Sequence, residues 1–227
     1  MGVTRQIIIA DDHPLFREAL RGAVARLAGA TEFFEADSVA TMLDAVEARP
    51  GADLLLLDLN MPGAHGFNAL AHVRGTRPEL PVVIVSATDD PQTVHSALRF
   101  GAQGFISKSA AAEQIAGAVE AVLAGDIATP PGYRPPQRVN AGDEDLAIAR
   151  RLAELTPQQF RVLGMLCAGL LNKQVAYELQ VSEATVKAHV TAILRKLGVA
   201  TRTQAVLAAG RLALDQSGVH LPPEEAD

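Results

Sequence analysis

Residues 54–63, LLLLDLNMPG, join four consecutive leucines to a carboxylate, Asp58, and then to a sharp Asn-Met-Pro-Gly turn. An unbroken apolar run with no polar alternation describes a strand covered on both faces, as in a parallel sheet sandwiched by helices. Such a strand delivers the acid that follows it to the carboxyl edge of the sheet. Doubly wound folds bind their ligands at that edge, where the strand order reverses.

Four other short β-like runs flank this one: QIIIA (6–10), EFFEA (32–36), PVVIVS (81–86) and GFISK (104–108). Amphipathic stretches near 14–27, 38–49, 66–74, 91–100 and 110–124 separate and follow them. Five β-α repeats predict an α/β domain over residues 1–125, with a doubly wound, five-stranded parallel sheet. Residues 126–150 read as a linker, because four prolines fall within residues 130–136 and no hydrophobic period is evident. Residues 151–215 are helical in pattern and predict a small all-α domain. Thr156 is placed as an N-cap with Pro157 and Gln159 behind it, Ser182 as a second N-cap, and Gly198 as a helix stop. The tail, 216–227, is expected to be disordered.

Composition bounds the function. The chain has 227 residues, 48% hydrophobic and 20% charged, with a single cysteine, Cys167, which excludes an internal disulfide framework. No apolar run approaches the roughly 20 residues that span a bilayer, and MGVTRQIIIA lacks a signal peptide's apolar region. The expected location is the cytoplasm, with no membrane partner. The net charge of −6 is unevenly spread. Residues 1–125 carry 9 Lys+Arg against 15 Asp+Glu, whereas residues 154–215 carry 7 against 4. An acidic front half and a mildly basic back half point to two domains with different partners.

ADDHP closes the first strand and LDLNMPG the third, and these strands are neighbours in a doubly wound sheet. Asp11, Asp12 and Asp58 therefore converge. Singly, an Asp at a strand end caps the next helix. Three together repel one another and call for a hard divalent cation, Mg²⁺, which prefers oxygen ligands. The fifth strand brings Lys108 against Asp58, and the fourth ends in Ser86, a hydroxyl able to donate to an anion formed there. Two aspartates after the first strand would repel a flavin phosphate, so a flavodoxin-like site is excluded.

These residues resemble the receiver domains of two-component response regulators over about residues 5–124. The resemblance rests on Asp11/Asp12, Asp58-x-Asn60-Met61-Pro62-Gly63, Ser86-Ala87 and Lys108. It implies that Asp58 accepts a phosphoryl group from a sensor histidine kinase, with Mg²⁺ held by Asp11, Asp12, Asp58 and the Asn60 backbone carbonyl. It further implies that Lys108 and Ser86 engage the phosphoryl group, and that Phe105 occupies an aromatic switch position. The chain would then be no enzyme, showing at most slow self-dephosphorylation. Asn60, standing where a second acid would serve turnover, agrees with this.

In the back half, a short helix, the LQVSE connection and a helix from Ser182 have helix-turn-helix dimensions. That last helix presents Lys187, His189, Arg195 and Lys196. Residues 155–206 resemble the LuxR-type DNA-binding domain, most specifically at Asn172-Lys173, Thr185-Val186-Lys187-x-His189 and Lys196-Leu197-Gly198. With the receiver, this is the NarL/FixJ class of response regulator. The resemblance implies contacts to double-stranded DNA by Lys173, Thr185, Lys187, Ala188, Thr191 and Arg195. It also implies a homodimer on phosphorylation and dyad-related half-sites. Leu171 departs from the family, standing where a hydroxyl residue caps the second helix; Asn172 is the alternative cap. Two switching schemes follow: the receiver masks the recognition helix until phosphorylated, or phosphorylation creates a receiver dimer. A regulator or interaction protein that works without phosphate is the competing class.

Overall fold

The computed structural model describes residues 4–27, 29–136 and 143–212. Its first half alternates β1 (Arg5–Ala10), α1 (Pro14–Val24), β2 (Thr31–Ala36), α2 (Val39–Ala48), β3 (Leu54–Asp58) and α3 (Asn68–Thr76). It continues with β4 (Val82–Ser86), α4 (Pro91–Arg99), β5 (Gly104–Ser107) and α5 (Ala112–Leu123). The strands form one parallel sheet in the order β2-β1-β3-β4-β5, so β3 lies at its centre.

The four leucines of β3 are completely buried and divide between two cores. Leu54 and Leu56 face the side covered by α1 and α5, with Ile7, Ile9, Val83 and Val85. Leu55 and Leu57 face the other side with Ile8 and Ile84, under α2, α3 and α4. An apolar residue at every position is what a strand with two dry faces requires. This burial holds Asp58, the strand's last residue, in a fixed position at the edge.

The back half is helical: α6 (Asp143–Ala153), α7 (Pro157–Cys167), α8 (Asn172–Glu178), α9 (Glu183–Leu197) and α10 (Arg202–Gly210). Thr156 caps α7 by accepting from the Gln159 amide, and the Gln159 side chain accepts from the Thr156 amide in return. Ser182 caps α9 through the Thr185 amide. Gly198 ends α9 at φ 67°, a left-handed conformation that costs glycine nothing.

Residues 126–150 differ from the expected linker at both ends. Ala128 pairs with the edge of β5, accepting from the Phe105 amide at 2.9 Å and donating to Gln103 O at 3.0 Å. Helix α6 begins at Asp143, and its Ile148, Ala149 and Leu152 are buried. The prolines hid this helix, whose apolar stripe is satisfied only by tertiary packing, chiefly against α3 and also against α9 and α10. Residues 137–142 and the tail 216–227 lie outside the described residues.

Candidate functional sites

Parallel β1, β3 and β5 bring three charged groups to one edge. Lys108 follows β5, and its backbone amide donates to Ser86 O at 2.8 Å. Its Nζ lies 2.8 Å from Asp11 Oδ2 and 3.0 Å from Asp58 Oδ2, bridging two carboxylates that are each about 1% exposed. The second Asp58 oxygen, Oδ1, is buried without a hydrogen-bond partner. Asp12 is more open, with its side chain 30% exposed.

Burial raises the Asp58 pKa above the ordinary carboxylate value; the Lys108 bond partly offsets this, and the nearby Asp11 charge adds to it. Burial works the other way on Lys108, but its bonds to Asp11 and Asp58 outweigh it and hold the ammonium above its usual value. The cluster thus keeps a charged lysine and a carboxylate under electrostatic strain. Asp11, Asp12, His13 and Asp58 can present ligand atoms within 4.8 Å of one another. An unpartnered, buried carboxylate oxygen beside two further acids is a donor set suited to a hard divalent cation.

Ser86 is fully buried, and its Oγ accepts from the Thr88 amide at 3.1 Å. Phe105 is also buried, 1% exposed, and packed in the core beneath α4. Asn60 lines an open depression of about 450 Å³ together with Asp58, Ala87, Lys108, Leu15 and Phe16.

The sequence reading did not anticipate three members of this site. His13 donates its amide to Asp11 Oδ1 at 2.9 Å, and its Nδ1 lies 2.6 Å from Asp12 Oδ1. Arg17 reaches Asp11 O at 2.7 Å while also pairing with Glu35. Phe16 places its ring 5.0 Å below Lys108 Nζ, a cation–π contact. Their signal was adjacency: DDHPLFR follows the strand directly, and the first turn of a helix after such a strand overhangs its edge.

In the helical half, Thr185, Lys187, Ala188, Thr191 and Arg195 on α9 are all exposed, as is Lys173 on α8. Lys187 makes an i,i+4 contact of 3.4 Å with Glu183, and Thr191 bonds back to Lys187 O. Lys196 is different: its Nζ donates to Glu154 O and to Gln159 Oε1, so it ties α9 to the start of α7. The N-cap of α8 is Leu171, 66% exposed and without a side-chain bond; Asn172 is the first helical residue and does not cap. Gln174 Oε1 accepts from the Leu171 amide and supplies half of a capping box.

The first half of the chain meets this one at α6, α7 and the end of α10. The face of α9 that carries Thr185, Lys187, Ala188, Thr191 and Arg195 lies away from this contact and is open to solvent.

Residues 7–120 match the family described as response regulator receiver domain, and residues 153–209 match bacterial regulatory proteins of the luxR family. A glycerol metabolism activator of Pseudomonas putida is 44% identical over 209 residues, covering 90% of this chain and 95% of that protein. A probable transcriptional regulatory protein NarL of Mycobacterium tuberculosis is 35% identical over 211 residues, covering 92% and 95%. Among solved structures, two RcsB dimers bound to two parallel DNAs share the fold at TM-score 0.52 and 21% identity, over 92% of this chain and 98% of that one.

Proposed function

The chain belongs to the response regulators that join a receiver to a LuxR-type DNA-binding domain, and from that membership we propose that Asp58 is its phosphoacceptor and α9 its recognition helix. It is a two-component transcription regulator, not an enzyme, and its partners are a sensor histidine kinase and double-stranded DNA. The division of labour runs between a receiver in residues 1–125 and a DNA-binding unit in 151–215. Among the described residues, no helix is long and apolar enough to cross a membrane. We infer that the chain works in the cytoplasm.

One observation carries the assignment of Asp58: Lys108 holds one of its oxygens and leaves the other, buried, without a partner. The free oxygen is available to attack the phosphorus of a phosphohistidine. An O–P bond forms, the P–N bond breaks, and the imidazole leaves with the electron pair. Mg²⁺ held by Asp11, Asp12, Asp58 and the Asn60 carbonyl would neutralise charge between carboxylate and phosphoryl group. Lys108 then pairs with the phosphoryl oxygens, and the Ser86 hydroxyl, now bonded to the Thr88 amide, turns to donate to them. Phe105 follows Ser86, and its amide bond to Ala128 O carries the change toward the segment leading to α6. Pairing of phosphorylated receivers brings two α9 helices to dyad-related half-sites.

On DNA, Lys187 and Arg195 supply the positive charge of α9 and Lys173 reaches the backbone from α8. Ala188 and Thr191 offer small and apolar contacts rather than bidentate ones, which favours thymine methyl recognition over guanine. The test of Asp58 is intact-mass spectrometry after incubation with a small phosphodonor and Mg²⁺. Wild type gains one phosphoryl group and Asp58→Asn gains none; equal labelling of the two would refute the assignment.

A further inference from the structure

Helix α3 is buried at six consecutive positions, Asn68 to Val73. A surface helix buries one stripe, so continuous burial means that a second body covers its outer face. That body is α6, with α7 and the end of α10. Asn68 Nδ2 donates to Ala209 O at 3.0 Å, and the Phe67 amide donates to Leu212 O at 2.8 Å. The helices touch at Gly75, where an added Cβ would lie 2.0 Å from Ala153 Cβ and 2.8 Å from its Cα. Only glycine permits this approach.

His72 sits at the centre of the contact, fully buried. Its ring stacks on Phe160 of α7, with centroids 4.3 Å apart and planes 19° apart. Nδ1 lies 3.3 Å from Leu152 O of α6, and Nε2 is buried with no partner. A carbonyl at one nitrogen and nothing at the other fits the neutral ring with its proton on Nδ1. Among the described residues, no carboxylate accounts for either ring nitrogen. On α7, Arg161 is engaged by Asp44 and Ala40 O of α2. On α6, Arg151 reaches Leu197 O, Glu144 and Asp145 pair with Arg211 beyond α10, and Arg150 is exposed, as is Glu154 just past the helix. On α3 itself, Arg74 reaches Leu80 O, and on α10 Arg202 reaches Leu166 O and Leu170 O. The Phe160 stack and the Leu152 carbonyl are thus the ring's immediate partners.

We propose that this clasp is a second input to the protein: a proton-sensitive latch in which neutral His72 holds the receiver to the C-terminal helices, so that acid opens it without phosphoryl transfer. A cation at His72 would lie among apolar side chains, with one carbonyl to offset its lost hydration. Burial lowers its pKa from 6.5 to about 4, the Leu152 carbonyl opposing the shift. Opening returns the ring to water and to its ordinary value. The clasp's stability is therefore complete above the ordinary value and is lost as pH falls from there toward the closed-state value. The open-to-closed ratio rises roughly thirtyfold between about pH 7.5 and about pH 5.

The test uses the full chain without phosphodonor. NMR of the His72 ring gives its titration midpoint, and chromatography-coupled X-ray scattering gives the radius of gyration of the monomer. Gly75→Gln, whose side chain has no room against Ala153, supplies the open reference without adding charge. His72→Phe keeps the aromatic stack but cannot titrate. In wild type the His72 midpoint is expected roughly two units below that in Gly75→Gln. Wild type should expand on acidification, while His72→Phe stays compact. Equal midpoints would overturn the proposal, as would a wild-type radius unchanged by acid or a His72→Phe chain that expands as wild type does. A Gly75→Gln chain as compact as wild type would overturn the clasp itself.

Discussion

Replacing Asp58 with asparagine should make the protein more stable, because this carboxylate sits where its charge is unwelcome. The side chain is 1% exposed, burial and Asp11 raise its pKa, and the Lys108 bond only partly compensates. A carboxyl whose folded pKa exceeds its unfolded value of 3.8 binds its proton more tightly in the folded chain. No penalty exists below the unfolded value. It develops as pH rises from the unfolded value to the folded value and is complete above it, at about 1.4 kcal/mol per unit of separation. Asparagine keeps the shape, does not titrate, and leaves Lys108 its partner Asp11, at 2.8 Å. Asparagine removes the cost of a buried charge while Lys108 keeps a carboxylate partner, a gain of about 2 kcal/mol, the order for relieving a desolvated polar group. For a chain of this size that is about 4–8 °C in Tm. Mg²⁺ binds the wild-type carboxylates more tightly and so raises wild type more than the variant, narrowing the gap. Urea and thermal unfolding between about pH 5 and 8, with EDTA or with Mg²⁺, measure all of this. An Asp58→Asn chain less stable than wild type at neutral pH in EDTA, or a gap that widens in acid, would refute the reasoning.

Lys108→Met leaves two buried carboxylates without their shared cation, and should destabilise by about 2–4 kcal/mol in EDTA. Mg²⁺ should restore much of that loss; unfolding at the wild-type midpoint would contradict the bridging role. Lys187→Ala should weaken operator binding by about 1–3 kcal/mol, read by fluorescence anisotropy, with an unchanged Tm. Undiminished binding would mean that α9 does not lie in the groove. Leu171→Ser places a hydroxyl at an exposed, uncapped helix start and should add about 0.5–2 kcal/mol in urea unfolding. No gain would show that Gln174 already satisfies that end.

Local features were readable wherever chemistry and chain order coincide. LLLLD fixed β3 to the residue, since a strand with two dry faces needs continuous apolarity and its acid can only end it. Thr156, Ser182 and Gly198 act at the helix ends their residue types mark. Lys108 was foreseeable because the end of β5 faces the same edge as Asp58. What stayed hidden depends on packing between distant segments. Helix α6 has a short apolar stripe beside prolines, and only packing against α3, α9 and α10 gives that stripe something to bury against. His72 looks like a helix-surface residue until Phe160 and Leu152 cover it, across 80 residues of chain in the Leu152 contact. His13, Arg17 and Phe16 lie in the run after the first acid pair, but their roles depend on side-chain direction, which spacing does not encode.

Phosphoryl transfer to Asp58 is proposed to control DNA binding, and a paired measurement reads both in the same samples. Wild type and Asp58→Asn are each treated with a small phosphodonor and Mg²⁺; the same samples are then read by intact mass and by anisotropy on a fragment of the gene's own upstream region. Wild type should gain one phosphoryl group and bind more tightly as a dimer, while Asp58→Asn should gain neither. Phosphorylated wild type that binds no better than its untreated form would contradict the account.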